Sequence, residues 1–128
     1  MIAADTNLII RHLTHDDAVQ AQKVRVLFDD AELRQEPVFL GHIVLCEVCW
    51  VLGSTYRFDK AKIATGLQAL LEDAGFLIQE RLLVEEALRL FKKHSGQFPD
   101  HLLGVVARQQ GSSTTFTFDR VVAKHPNF

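Results

Sequence analysis

Short apolar runs alternate with amphipathic stretches along the chain. Met1-Ile2-Ala3-Ala4 reads as a first strand closed by Asp5, and residues from Thr6 to Leu13 predict a short helix behind it. Val24, Leu27, Phe28 and Ala31 follow the i, i+3, i+4, i+7 spacing of one helical face. Asp16 and Asp17 stand at that helix's start, where the positive end of the dipole favours acids. Pro37 introduces a strand, Val38-Phe39-Leu40, and Gly41 lets the backbone turn into an apolar helix running from Ile43 to Leu52. Asp59 is placed to cap a helix whose face carries Ile63, Leu67, Leu70 and Leu71. Gly75 ends that helix before the strand-like Phe76-Leu77-Ile78. Val84, Ala87, Leu88 and Phe91 repeat the helical spacing, with Lys92 and Lys93 near the C-terminal end. Pro99 fits the first turn of the next helix and Gly111 its C-terminal cap. Thr114-Thr115-Phe116-Thr117-Phe118 then predicts a last strand leading to Asp119.

Short strands separated by helices imply parallel pairing. The predicted class is α/β, a three-layer α/β/α sandwich around a short parallel sheet. At 128 residues the chain is expected to form one domain over residues 1–128. A hydrophobic fraction of 48% and a charged fraction of 23% suit a soluble globular protein. No apolar run approaches the ~18 residues of a membrane span, and the start lacks signal-peptide features, so cytoplasm is the expected location. Cys46 and Cys49 have the spacing of a redox pair or half a zinc site. They lie inside an apolar helix with no second pair, which favours two buried structural thiols. The net charge of −2 argues against a broad basic surface that grips nucleic acid. Metal ions at an acidic centre can still hold a phosphate, with weak affinity for free RNA or DNA as the consequence.

Four carboxylates stand out. Asp5 and Asp119 follow strand-like runs, and ligands of open parallel sheets bind beyond the strands' carboxyl ends. Glu47 is the only charge between Ile43 and Leu52, and Asp100 opens an apolar helix. Taken singly, each has a bland reading. Asp5 and Asp119 can be caps, Glu47 half of a buried ion pair, and Asp100 a favourable charge in a first turn. Glu47 resists the bland reading best, because Ile43, Val44, Trp50 and Val51 beside it are apolar. Leu103, Gly104 and Ala107 continue the Asp100 side of its helix, and the small members permit close packing of another element. Gathered together, four negative groups repel, and a divalent cation is the natural compensating partner.

Asp5-Thr6-Asn7 after the first strand, Glu47 in an apolar helix, Phe98-Pro99-Asp100-His101-Leu102-Leu103 and Thr117-Phe118-Asp119-Arg120 together resemble PIN domains. Among them the pattern resembles the VapC-type toxins of bacterial toxin–antitoxin pairs. The resemblance covers essentially the full length and includes the order of all four acids. It implies a Mg²⁺- or Mn²⁺-dependent endoribonuclease, usually dimeric and inhibited by a cognate antitoxin. It maps the acidic residues onto Asp5, Glu47, Asp100 and Asp119, with Thr6, Asn7 and Thr117 as accessory polar positions. The chain departs from the pattern in two places. His101 replaces a common alanine and is expected to alter the cleft entrance. Arg120-Val121-Val122 replaces a further acid, which puts a second metal site in doubt.

Mg²⁺ is commonly held by one or two carboxylates plus substrate phosphate. Asp5 and Asp100 are expected as direct ligands, with Glu47 and Asp119 acting through water or on a second ion. Candidate phosphate contacts are Arg120, Arg11 and Arg108, with His12 and His101 weaker; His15, His42, His94 and His125 have no metal-site spacing. Against these stands the commoner role of an arginine as a solvated charge or internal ion pair. The helices containing Trp50 and Phe91 offer apolar surface to a second copy or an antitoxin, unless both residues are simply core.

Rival enzyme classes fit less well. A HAD-type phosphatase needs a second aspartate where Asn7 stands. A receiver domain needs a different order of acids and lysine, and dinucleotide binding needs a Gly-rich first turn. The remaining alternative is a catalytically silent PIN-like module that binds RNA or protein.

Overall fold

The computed structural model describes all 128 residues, and the chain divides into two compact units, Met1–Gln79 and Glu80–Phe128. The expected α/β class with a short parallel sheet is borne out. In the first unit the order is β1 (Ile2–Ala3), α1 (Thr6–Thr14), α2 (Ala18–Leu33), β2 (Val38–Leu40), α3 (His42–Ser54), α4 (Lys60–Glu72) and β3 (Phe76–Ile78). The three strands pair in parallel in the order β1-β2-β3, with Ile2 opposite Val38 and Val38 opposite Phe76. Parallel neighbours need long crossovers, which the helices supply.

Local chemistry explains the helix starts. Asp5, Asp17 and Asp59 each accept a backbone N–H from three residues further on, at 3.3, 3.0 and 2.8 Å. Each satisfies one of the donors that a first turn leaves open. No side chain at Gly41 caps α3. Instead the Gln79 amide oxygen, just past β3, accepts the His42 N–H at 2.9 Å. The core of this unit is aliphatic, with Ile9, Leu40, Leu45, Val48, Leu52 and Leu67 almost wholly shielded. α1 packs on α2 and α3, and α3 on α4.

The second unit contains α5 (Arg81–Lys93), α6 (Phe98–Gln109) and a 3₁₀ turn, Val122–Lys124. α5 and α6 pack together around Val84, Leu88, Phe91, Phe98 and Leu102. Pro99 lies in the first turn of α6, and Gly111 follows its last turn with a φ of 99°, a conformation glycine adopts without strain. Gly104 sits in tight contact with the C-terminal end. A Cβ there would lie 2.9 Å from the Phe128 ring and 3.2 Å from Asn127 Cβ. The close approach expected at the small residues of this helix is therefore made by Asn127 and Phe128.

One predicted strand does not form. Residues 114–118 are irregular, and Phe116 and Phe118 are 93% and 106% exposed. Thr115 N–H donates to Asn127 O at 3.2 Å, but no ladder develops. Period-two alternation gives this segment the capacity to be a strand; pairing is what it lacks.

Candidate active site

In the first unit, Asp5 leaves the carboxyl end of β1 and caps α1 through Oδ1. Thr6, the next residue, donates its hydroxyl to Glu47 Oε2 at 2.8 Å across 41 residues of sequence. This bond ties the start of α1 to the second turn of α3. Glu47 is exposed, contrary to its reading as a charge enclosed by apolar neighbours. Ile43 and Trp50, one turn to either side, are 74% and 70% exposed, whereas Leu45, Val48, Cys49 and Leu52 form the buried side. Trp50 is therefore not core, while Phe91 is.

In the second unit, Asp100 Oδ2 accepts the Gln97 N–H at 2.9 Å, which fixes it in the first turn of α6. Asp119 follows the irregular segment and uses Oδ1 to accept the N–H groups of Val121 and Val122 at 2.9 and 3.2 Å. Thr117 accepts the Asp119 N–H at 3.0 Å, so its hydroxyl shapes the turn that holds the acid. The Asp100 carboxylate and the Val122 side chain both flank Gly96, each within 3.6 Å of where a Cβ would stand.

The four acids share one arrangement. One oxygen of each is engaged by an N–H or O–H, local for the three aspartates and from distant Thr6 for Glu47, and the other has no protein partner. None is neutralised by an arginine, lysine or histidine. No group of three or more His, Cys, Asp or Glu side chains able to hold a metal ion is formed, and each unit carries two of the acids. Hard oxygen donors without cationic neighbours suit Mg²⁺, which needs only one or two protein carboxylates and keeps several waters. The residues present fit such an ion.

Other candidates are placed differently from expectation. Arg11 is engaged internally: it contacts Gln20 Oε1 at 2.7 Å, Tyr56 Oη at 3.1 Å and Asp16 Oδ1 at 3.1 Å. The Tyr56 hydroxyl, followed by Thr14 and Arg11, holds the Asp16 carboxyl below its ordinary value. Arg11 also stands six residues along α1 from Asp5, about 9 Å on the helix axis. His12 packs edge-on between Phe28 and Phe76, with centroids at 5.3 and 5.6 Å.

His101 does not line a cleft entrance. It is 2% exposed, has Nε2 2.9 Å from Ser95 O, and clusters with His94 and His125. Its neighbours shield it, and burial followed by His101 and His94 lowers the pKa of His125. Arg108 and Arg120 are exposed and carry no ion pair. Cys49 is buried, and that burial, with Cys46 adding to it, pushes its thiol well above the ordinary value. Cys46 is half-buried, and neither cysteine forms a disulfide.

Sequence reasoning missed the Gln79–His42 contact. Gln79 holds the α3 N-terminus through its side chain, while its carbonyl lies 3.0 Å from His42 Nε2. Both groups sit at the carboxyl ends of β2 and β3, and the contact supports the helix that carries Glu47. A cap supplied across 37 residues leaves no local signal.

A short parallel sheet with one carboxylate at a strand exit, Asp5, and another on a flanking helix, Glu47, defines the class. The PIN domain family matches residues 2–127, and the chain belongs to it. The VapC ribonuclease of Aquifex aeolicus (strain VF5) is 23% identical over 116 residues, covering 91% of this chain and 85% of that protein. No solved structure matches. The resemblance seen in the short motifs is thus borne out along the whole chain.

Proposed function

We propose that this chain is a divalent-metal-dependent endoribonuclease and the toxin of a toxin–antitoxin pair. The observation that carries this reading is the set of four uncompensated carboxylates, each positioned through one oxygen. Family membership and the similarity to a VapC ribonuclease support it. On this reading Asp5 and Asp100 would hold Mg²⁺ or Mn²⁺, and Glu47 and Asp119 would orient water. When bound, the ion supplies Lewis acidity, lowering the pKa of water and offsetting charge on the scissile phosphate.

The Thr6 hydroxyl keeps Glu47 in one orientation, leaving Oε1 to accept a hydrogen bond from water. Arg120 and Arg108, free of ion pairs, contact RNA phosphates; Arg11 does not, because its guanidinium is occupied. Attack by water on phosphorus with departure of the ribose 3′-oxygen leaves a 5′-phosphate and a 3′-hydroxyl. The exposed α3 face with Ile43 and Trp50 serves a second copy or the antitoxin.

Asparagine caps a helix as well as aspartate, so Asp5→Asn removes charge while retaining the α1 cap. The expected result is a loss of at least about 100-fold in RNA cleavage with an unchanged circular dichroism spectrum. Mapping RNA ends in bacteria expressing wild type or variant tests substrate and toxicity together. Full activity in Asp5→Asn, or a metal-independent 2′,3′-cyclic phosphate product, would overturn the assignment. RNA binding without cutting would favour a silent module.

A further inference from the structure

A cavity of about 440 Å³ opens at the amino-terminal edge of the sheet in the first unit, beside the starts of β2 and β3. This is the strand end opposite Asp5 and Gly41, so the proposed nuclease chemistry makes no use of it. Its volume falls in the range of small-ligand sites, roughly 300–1,000 Å³.

The wall is aromatic. His12, Phe28 and Phe76 pack mutually edge-to-face, with centroids 5.3, 5.6 and 5.4 Å apart. Burial lowers the pKa of His12 below the ordinary imidazole value, against a smaller upward pull from Asp73. Apart from His12, every ionisable side chain lining the cavity is an acid: Asp29, Glu32, Glu36 and Asp73. Two have cationic partners, Glu36 with the terminal amine at 3.0 Å and Asp29 with Arg25 at 3.9 Å. Glu32 and Asp73 have none; Asp73 uses Oδ1 to accept the Gly75 N–H at 2.8 Å.

An anion is repelled by this rim. A hard metal ion finds oxygen on one side and hydrocarbon on the other. A neutral apolar ligand fills the wall and strips water from the carboxylates without pairing them. An organic cation satisfies both parts, because aromatic faces attract ammonium and guanidinium groups while carboxylates supply the opposite charge.

We propose that this cavity is a binding site for an alkylammonium or alkylguanidinium group, seated against Phe28 and Phe76 and paired with Glu32 and Asp73. The same chemistry reaches the cavity from two sources, a free polyamine or a basic side chain of a polypeptide.

The test is an amide-resolved NMR titration of the whole protein with spermidine and, separately, with Nα-acetyl-arginine amide. Saturable shifts at Ala74, Gly75 and Phe76 are expected with at least one probe. Spermidine alone points to a free polyamine, and the arginine derivative alone to a peptide. The uncharged Nα-acetyl-citrulline amide should bind at least about tenfold more weakly. Combining Glu32→Gln with Asp73→Asn should weaken the cation by about tenfold. Phe28→Leu, which keeps apolar volume without a π face, should weaken it about two- to fivefold. Asp5→Asn should leave binding unchanged, which separates this site from the nuclease. The proposal is overturned if neither cation saturates, if citrulline amide binds equally well, or if the double variant binds like wild type.

Discussion

Each acid of the candidate site is held through one oxygen and available through the other, and Thr6 makes the longest-range of these attachments. Without the hydroxyl, Glu47 gains rotamer freedom on an exposed helix face and spends less time in the productive orientation. Thr6→Val keeps the β-branched shape and removes only the donor. Cleavage should fall by about tenfold in kcat with KM nearly unchanged, because the bond orients a group without gripping substrate. Folding stability should change by no more than about 1 kcal/mol, since the exposed Glu47 carboxylate can turn to water instead. Thr6→Ser should restore most of the rate, an effect that a purely structural role for the methyl group would not produce. Sequence made the acids themselves legible, because carboxylates beside apolar runs are conspicuous. It gave no sign of the Thr6–Glu47 bond or of Gln79, since both join positions far apart in the chain. It also misplaced Glu47: a helix apolar nearly all round does not reveal which side faces solvent.

At the scale of elements, the helices follow directly from their spacing and caps, and Asp17, Asp59, Pro99 and Gly111 act where expected. The short strands β2 and β3 were readable from apolar runs flanked by Pro37 and Gly75. Thr114–Phe118 was not, because local alternation is necessary for a strand but only a partner makes it one. Gly104 is a sharper case of what an element needs. Replacing it with alanine favours the helix by about 1 kcal/mol. It also pushes on Phe128, whose ring would be 2.9 Å away. The atom it meets is the far edge of the half-buried Phe128 ring, which can swing aside at modest cost, so Gly104→Ala should be neutral within about 1 kcal/mol. Gly104→Leu has no such escape, because its side chain occupies the whole space of the C-terminal ring. It should cost about 2 kcal/mol, the usual scale of overpacking. Urea midpoints of the two variants check this; equal, unchanged midpoints would show that the contact contributes little.

For the whole molecule, charge is the decisive quantity. With a net charge of −2 the chain has little general attraction for RNA, so under the proposed function phosphate recognition is local and bound cations would assist it. If the four acids serve one ion, each leaves a trace on folding as well as on cleavage. An ion that binds only the native state stabilises it by about 2.7 kcal/mol at a hundredfold excess over Kd. For a chain of this length that raises the melting midpoint by several to about 10 °C. Asp5→Asn and Asp100→Asn are best tested separately, because the two residues belong to different compact units. Each amide can keep the local hydrogen bond that the carboxylate accepts, so in chelator each variant should melt close to wild type. In millimolar Mg²⁺ or Mn²⁺ both should lose most of the stabilisation that wild type gains. Loss in one variant alone would confine the ion to that unit's acids. A wild-type midpoint indifferent to either metal would remove the physical basis for treating the four carboxylates as one catalytic set.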